Sequence, residues 1–156
     1  MKSFSFSGGT NGYYTFNKDI TNFFEVRPWL ALQLKIPVIA EISFRQRLRY
    51  EYRFFYTEDP LSAREDYARL RYQLSFDFPI SASEDFSLTI RSFFEWFFIR
   101  NPATFERFSN ERDYGVTVII GLNHEHELSL RLILEEFYRA NSERQLGYTF
   151  LVAYSL

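Results

Sequence analysis

Apolar and charged residues alternate one by one along most of this chain. Between Val38 and Tyr56 the even-numbered residues are mainly apolar or aromatic, whereas most odd-numbered residues are charged. Successive side chains of a β-strand point to opposite faces, so a period of two is typical of strands. The same alternation recurs at 22–35, 65–78, 85–98, 113–122, 127–135 and 145–156, and more weakly at 3–16. The pattern therefore predicts eight strands.

The segments between these predicted strands differ in length. Tight breaks fall at 17–19, 36–38 and 123–125, and longer polar segments at 57–64, 101–110 and 140–144. Long loops at one end and short turns at the other are typical of outer-membrane barrels. If the chain begins on the periplasmic side, the long segments join strands three and four, five and six, and seven and eight outside the cell. The short first connection is the exception to this scheme.

Length and composition limit the classes of protein to consider. A chain of 156 residues predicts a single domain, here 1–156. Lys plus Arg is 18 and Asp plus Glu is 20, and the resulting net charge of −2 argues against a nucleic-acid partner. The absence of Cys excludes disulfides, Cys-ligated metals and Cys nucleophiles. The chain has no apolar run of about 18 residues, so no membrane helix is predicted. The sequence after Lys2 also lacks the apolar core of a signal peptide.

The alternation alone does not show whether the apolar face contacts lipid or is buried inside the protein. A soluble barrel or sandwich would bury the apolar face, whereas a membrane barrel would turn it outward. Aromatic residues make up 21% of the chain, and most predicted strands place about six large side chains on the apolar face. The interior of an eight-stranded barrel is only just wide enough for side chains to fill it. Because so many aromatic and leucine side chains do not fit there, the size of this face favours a lipid-facing wall.

The sequence therefore predicts an all-β fold, an eight-stranded antiparallel up-and-down transmembrane β-barrel. The predicted segments are at least as long as the roughly 9–11 residues that cross a bilayer at a tilt. We expect a monomer in the bacterial outer membrane, with lipid or detergent as its partner and with no cofactor, metal or nucleic acid. A soluble lipocalin-like barrel or a β-sandwich is the alternative fold.

The odd-numbered face is rich in arginine and in carboxylates. Arginine suits buried pairing because its planar fork binds a carboxylate through two hydrogen bonds. We therefore expect an ion-pair network that fills the lumen. The predicted lumen-lining residues are Glu25, Arg27, Glu41, Arg45, Arg47, Arg49, Glu51, Arg53, Arg69, Arg71, Asp77, Arg91, Glu95, Arg131 and Glu135. Three polar residues, Gln46, Ser92 and Glu136, fall on the apolar face and count against the scheme.

No familiar catalytic motif is present, so we expect no catalytic residues. The two histidines, His124 and His126, flank Glu125 at a predicted tight turn, where a metal site is disfavoured. Glu95 and Glu135 form a possible carboxylate pair, but the surrounding arginines favour salt bridges. The expected role is structural or that of a narrow passive pore, which the arginines at 45–53 would make anion-selective if water penetrates. The alternatives are a barrel that binds an apolar or anionic ligand, and an outer-membrane lipid-active enzyme.

Several segments resemble an uncharacterised bacterial outer-membrane β-barrel family with Arg-x-Arg-x-Glu-x-Arg strands. They are the run from Arg45 to Phe54, Ala68 to Tyr72, Glu25 to Trp29, Glu95, Asn110 to Arg112, and Gly115. The resemblance implies an outer-membrane location and brings no known activity. The chain departs from the family where Glu111 separates Asn110 from Arg112, and it is shorter at its beginning. These departures fit a shortened, reconstructed or designed member.

Overall fold

The computed structural model describes residues 2–16, 22–39, 41–57, 66–98, 111–123, 125–138 and 144–155. Eight strands account for most of them. They are β1 (Ser3–Thr15), β2 (Phe23–Pro37), β3 (Ser43–Thr57), β4 (Tyr67–Ala82), β5 (Phe86–Phe97), β6 (Arg112–Leu122), β7 (His126–Tyr138) and β8 (Arg144–Ser155). The prediction of eight strands is thus confirmed. This part of the chain contains no helix that is long and apolar enough to span a membrane.

The strands form one antiparallel sheet in which each strand pairs with the next along the chain. The sheet is strongly curled, in agreement with an eight-stranded up-and-down β-barrel. Strands β1 and β8 are its two edges, and no ladder joins them within the described residues. We call the end of the sheet at the β2–β3, β4–β5 and β6–β7 connections the turn end, and the opposite end the loop end.

The two faces of the sheet keep their character from β1 to β8. Except beyond the bulge in β4, every ladder pairs even-numbered residues with even-numbered ones and odd with odd. The even-numbered face is apolar and exposed, as at Leu30 (52% exposed), Leu132 (55%) and Phe150 (65%). The odd-numbered face lies inside the curl, where Glu51 and Arg69 are buried. We call these the outer and the inner face.

The predicted break at 36–38 is wrong in position. Strand β2 continues through Pro37 to pair with Ser43, and the chain turns after it. The amide of Val38 donates to the carbonyl of Ile42 (2.9 Å), and the amide of Ile42 donates to the carbonyl of Ile39 (3.0 Å). These bonds close a turn, so the apolar alternation that starts at Val38 enters a strand only at Ser43.

The predicted break at 123–125 is confirmed as a tight turn. The amide of Glu125 donates to the carbonyl of Leu122 (3.3 Å), and Asn123 has a positive φ of 51°, which asparagine tolerates better than most residues. The break at 17–19 lies outside the described residues. So do the long predicted loops, apart from Thr57 and Arg144 at their ends.

Two close contacts explain glycines on the inner face. A Cβ on Gly9 of β1 would lie 3.2 Å from the ring of Trp29 on β2. A Cβ on Gly115 of β6 would overlap the ring of Phe93 on β5 and the carbonyl oxygen of Leu132. Glycine lets an aromatic ring lie flat against the neighbouring backbone at both places.

Candidate functional site on the charged inner face

The first cluster of charges lies toward the loop end of β2, β3 and β4. The Glu25 carboxylate accepts hydrogen bonds from Nε (2.5 Å) and Nη2 (2.7 Å) of Arg27. It also accepts from Arg53 on the next strand, with an Nη2–Oε2 distance of 3.0 Å. Arg53 donates in turn to the hydroxyl of Tyr67 on β4. All four residues are buried, so this cluster ties three strands together.

The second cluster centres on Glu51 of β3, which has no exposed surface. Its carboxylate accepts from Nε of Arg69 (2.5 Å) and lies 3.2 Å from Nε of Arg49 and 3.7 Å from Nη1 of Arg71. Arg71 then reaches β5, where it donates to both oxygens of Glu95 at 3.0 and 2.6 Å. Bidentate pairs of this kind are the strongest form of the arginine–carboxylate bond.

The third cluster lies toward the turn end. Asp77 of β4 accepts from Nε (2.6 Å) and Nη2 (3.4 Å) of Arg91 on β5. It also forms an ion pair with Arg45 on β3 and accepts from the hydroxyl of Ser43 (3.4 Å). Together, the three clusters join β2, β3, β4 and β5 through side chains as well as through backbone ladders.

Three carboxylates stand in one row across β5, β6 and β7. In the ladders, Asp113 of β6 lies directly opposite Glu95 on one side and Glu135 on the other. Residues directly opposite each other have Cβ atoms about 4.5–5.5 Å apart, and like charges there repel. Arg71 offsets the charge of Glu95. The described residues contain no group of three His, Cys, Asp or Glu side chains placed to hold a metal ion.

Two inward arginines have no ion pair with any described carboxylate. Arg47 of β3 lies opposite Gln33 and Gln73, and its guanidinium faces the ring of Trp29 at 5.8 Å. Arg131 of β7 donates to the hydroxyl of Thr117 (3.0 Å). Their positive charges are therefore less compensated than those of the arginines in the three clusters.

Aromatic rings on the inner face serve as supports for the arginines. Guanidinium groups lie 4.1–5.1 Å from ring centroids, a range typical of cation–π contacts. The pairs are Arg27 with Tyr13, Arg49 with Trp29, Arg53 with Phe55 and Tyr67, Arg69 and Arg71 with Phe97, and Arg131 with Phe93. The sequence pattern did not predict this role for the rings, although their odd numbers place them on the charged face.

Of the predicted lumen residues, Glu41 lies outside the sheet. It is exposed in the turn between β2 and β3 and does not line the curled wall, because the chain turns before β3 begins. The other predicted residues all lie on the inner face. They are Glu25, Arg27, Arg45, Arg47, Arg49, Glu51, Arg53, Arg69, Arg71, Asp77, Arg91, Glu95, Arg131 and Glu135. Asp113 also belongs to the charged odd-numbered face, as its number predicts, and the registers of β6 place it in the carboxylate row.

Two polar residues on the outer face have partners there. Gln46 accepts a hydrogen bond from the hydroxyl of Tyr72 across β3 and β4 (3.0 Å). Glu136 is buried, and it forms ion pairs with Arg112 of β6 and Arg144 of β8 at the loop end. Ser92, the third exception, lies opposite Phe76 and Val116, and no side-chain hydrogen bond to a described residue accounts for its place there.

Of the two histidines, only His126 lies within the described residues. Its Nδ1 lies 2.6 Å from the hydroxyl of Tyr154 on β8, and the two rings stack with centroids 5.8 Å apart. This contact joins β7 and β8 at the turn end.

The inner sides of the two edge strands carry no charge. On β1 they present Ser3, Ser5, Ser7, Gly9, Asn11 and Tyr13, and on β8 Gln145, Gly147, Thr149, Leu151, Ala153 and Ser155. Most of these side chains are small. The charged clusters thus lie on β2 to β5, and the inner sides of the two edge strands are neutral.

The inner face combines opposite charges that largely satisfy one another, and the described residues place no histidine among them. Searches of curated proteins and of solved structures found no match to this chain. One family model, described as a protein of unknown function (DUF2490), matches residues 1–146, which span β1 to β7 and the start of β8. The chain therefore belongs to the DUF2490 family.

Proposed function

We propose that this chain is an integral β-barrel of the bacterial outer membrane that works as a monomer and without catalysis. Its inner face would hold the barrel together through ion pairs and leave at most a narrow passive pore. The observation that carries the proposal is the outer face, where large apolar side chains are exposed on every strand. Tyr148 (77% exposed) and Leu132 are examples.

An apolar surface of this extent needs an apolar medium. Soluble monomers rarely expose a contiguous apolar patch of more than a few hundred Å². Here exposed phenylalanine, leucine and valine follow one another around the sheet. They include Phe4, Phe6, Leu30, Leu32, Leu48, Phe76, Val116, Leu132, Leu146, Phe150 and Val152. Exposing this face costs less free energy in hydrocarbon than in water.

Strand length supports the same proposal. The shortest strand, β6, has 11 residues and the longest, β4, has 16. A tilted strand of about 9–11 residues crosses the hydrocarbon core, so each of the eight is long enough. Up-and-down pairing of successive strands also gives β2 to β7 a backbone partner on both sides, which lipid requires.

The distribution of charge argues against the soluble alternative. A barrel that binds an apolar ligand in water would turn its charges outward and its apolar side chains inward. Here Glu25, Glu51 and Arg69 are buried inside the curl, and they are paired. Buried charges are tolerated when they are paired and hydrogen-bonded, so this arrangement suits a narrow lumen surrounded by lipid.

The neutral inner sides of β1 and β8 would form one strip once the two edges pair, and this favours a pore as the second role. Side chains such as Ser5, Gly147 and Ala153 leave more space than the arginines of β3 and β4. Water and small solutes would pass along this strip if the barrel conducts. Recording from planar bilayers separates the two roles, because a structural barrel gives no discrete conductance steps.

Folding into lipid tests the membrane proposal itself. Refolded β-barrels of the outer membrane keep their shape in detergent on an unheated gel and migrate differently after boiling. We expect this shift for the protein refolded into lipid vesicles, together with protection of its strands from protease. A folded, monodisperse protein in detergent-free buffer would contradict the proposal.

A further inference from the structure

Two arginines of the outer face share one carboxylate at the loop end. Arg112 belongs to β6 and Arg144 to β8, and Glu136 lies between them on β7. The Nη1 of Arg112 lies 4.0 Å from Oε2 of Glu136, and the Nη2 of Arg144 donates to its Oε1. Because each guanidinium lies at one oxygen of the same carboxylate, the two are held close together. We call Arg112 and Arg144 the outer arginine pair.

The outer arginine pair is exposed, whereas its carboxylate is not. The side chains of Arg112 and Arg144 are 48% and 54% exposed, and that of Glu136 is 5% exposed. Glu111, which precedes Arg112, brings the formal charge of these four residues to zero. Two guanidinium groups nevertheless carry more N–H donors than one buried carboxylate accepts. A molecule that approaches from outside therefore meets guanidinium groups and not the carboxylate of Glu136.

Aromatic side chains mark the level of the outer arginine pair. Trp96 of β5 lies directly opposite Arg112 in the ladder, and its ring stacks on Tyr72 with centroids 5.9 Å apart. Tyr114 and Tyr148 belong to the next outward row toward the turn end. Tryptophan and tyrosine are enriched where a membrane protein meets the lipid headgroups. In the proposed barrel the outer arginine pair thus lies at the level of the lipid phosphates.

An apolar groove of about 320 Å³ begins beside the outer arginine pair. Tyr114, Leu134 and Tyr148 line it in the row next to Arg112 and Glu136. Val116 and Leu132 continue the lining toward the turn end. Successive outward residues of a strand are about 7 Å apart, so the groove leads from the guanidinium groups toward the level of the acyl chains.

We propose that the outer arginine pair and this groove bind one anionic phospholipid, with its phosphate on the arginines and an acyl chain in the groove. The inference rests on the proposed membrane barrel and names the class of lipid that its outer face selects. Guanidinium forks bind phosphate oxygens through paired hydrogen bonds, and basic pockets of membrane proteins bind anionic headgroups. Glu136 is a positioning residue, since it holds both arginines and is itself buried.

Trp96 supplies the readout, because it lies beside Arg112 on the outer face. The chain has 2 Trp residues, and the other, Trp29, belongs to the inner face, away from acyl chains. The protein is refolded into phosphatidylcholine vesicles with rising fractions of phosphatidylglycerol that carries brominated acyl chains, which quench tryptophan on contact. A parallel series with brominated phosphatidylcholine is the reference. The two series give the binding constant of phosphatidylglycerol relative to phosphatidylcholine at Trp96.

We expect this relative binding constant to be about three or more, since each exposed arginine attracts an anionic headgroup. In Arg112→Gln/Arg144→Gln it falls close to one. Arg112→Lys/Arg144→Lys keeps both charges and keeps a value above one. Glu136→Gln lowers the relative binding constant although it removes a negative charge, because the arginines lose their support. A rise in Glu136→Gln would overturn the positioning role.

Lys2→Gln/Lys35→Gln is the matched control. It removes two positive charges at the turn end, where Ser3 pairs with Lys35, and should leave the preference unchanged. Equal binding of the two lipids by the parent, or an equal loss in the lysine control, overturns the lipid site. Loss of the preference when inorganic phosphate is added also overturns it, because the site would then bind a free ion.

Each variant is first checked for its heat-dependent gel shift, so that only folded protein is compared. The gel shift also tests the membrane proposal separately. A folded barrel without preference for phosphatidylglycerol refutes the lipid site and leaves the proposed barrel standing.

Discussion

At the scale of single residues, compensation of charge is the main theme. Glu51 meets three guanidinium groups, and Asp77 meets two. Gln46 shows the same principle on the outer face, where the hydroxyl of Tyr72 supplies its partner. A polar group removed from water costs free energy unless it is hydrogen-bonded, and these contacts remove that cost.

Replacing Glu51 with alanine should be strongly destabilising. The change leaves Arg49 and Arg69 without their carboxylate in a buried place. Breaking a buried ion pair by removing one partner typically costs about 3–5 kcal/mol. We expect a loss of this size in the free energy of unfolding, measured by urea titration of the protein in lipid vesicles.

Glu127→Ala provides the comparison for Glu51→Ala. Glu127 is exposed on the inner face of β7. Substitutions at such positions usually change stability by no more than about 0.5 kcal/mol. Equal unfolding midpoints for the two variants would show that the buried ion pairs do not stabilise the sheet.

At the scale of the strand, the period of two decides which side chains meet. Because the ladders pair residues of like parity, one wrong register step would bring the arginines of β3 onto the apolar face of its neighbours. The period of two is visible in the order of residues along the chain, so the alternation and the eight strands were predictable from sequence. The turn at 38–42 was not, because its residues continue the apolar alternation into a segment closed by local hydrogen bonds.

Leu132→Arg tests the assignment of faces on β7. Leu132 is exposed on the outer face, and an arginine at the bilayer midplane costs about 2–4 kcal/mol. We expect the variant to fold poorly into vesicles, with a smaller fraction of heat-shifted protein on gels.

Thr149→Arg is the matched change on the neighbouring strand. Thr149 lies opposite Ile133, on the inner face, where a guanidinium is shielded from lipid. This variant should fold with nearly the parent yield. If Leu132→Arg folds equally well, the outer face does not meet lipid.

At the scale of the whole molecule, β1 and β8 are the two edges of the described sheet. Both edge strands carry unpaired backbone groups in the described sheet, and lipid does not tolerate a free edge. Their parities match, with even-numbered residues outward on both. The proposed membrane barrel therefore requires that the two edges pair once the protein is in the bilayer.

Engineered disulfides test this closure. The chain has no cysteine, so only an introduced pair forms a bond. We expect Thr10→Cys on β1 to cross-link with at least one of Phe150→Cys, Val152→Cys and Tyr154→Cys on β8 in vesicles. A disulfide needs Cα atoms about 4.4–6.8 Å apart, which paired strands provide. Migration on non-reducing gels reports the bond.

Ala153→Cys is the control for these pairs, since its side chain belongs to the opposite face. It should not cross-link with Thr10→Cys. Folded protein that forms none of the three expected cross-links would show that β1 and β8 stay apart, and that another segment or another chain covers the edges.

The sequence alone determined the number of strands, the two faces and the identity of nearly all the inward charges. These depend on local geometry, because the parity of a residue within a strand fixes its side. The tertiary structure decided which charges meet. Glu51 lies with Arg69 and Asp77 with Arg91 because of the registers between strands, which local patterning does not encode.

The registers between strands also explain which residues the sequence could not interpret. Glu136 looked misplaced on the apolar face until pairing brought Arg112 and Arg144 beside it. Arg47 and Arg131 looked like members of a balanced set, yet neither forms an ion pair with a carboxylate in the described part of the chain, where Arg47 faces Trp29 and Arg131 donates to Thr117. Alternation along a strand is a property of neighbouring residues, whereas compensation of charge is a property of residues that the fold brings together.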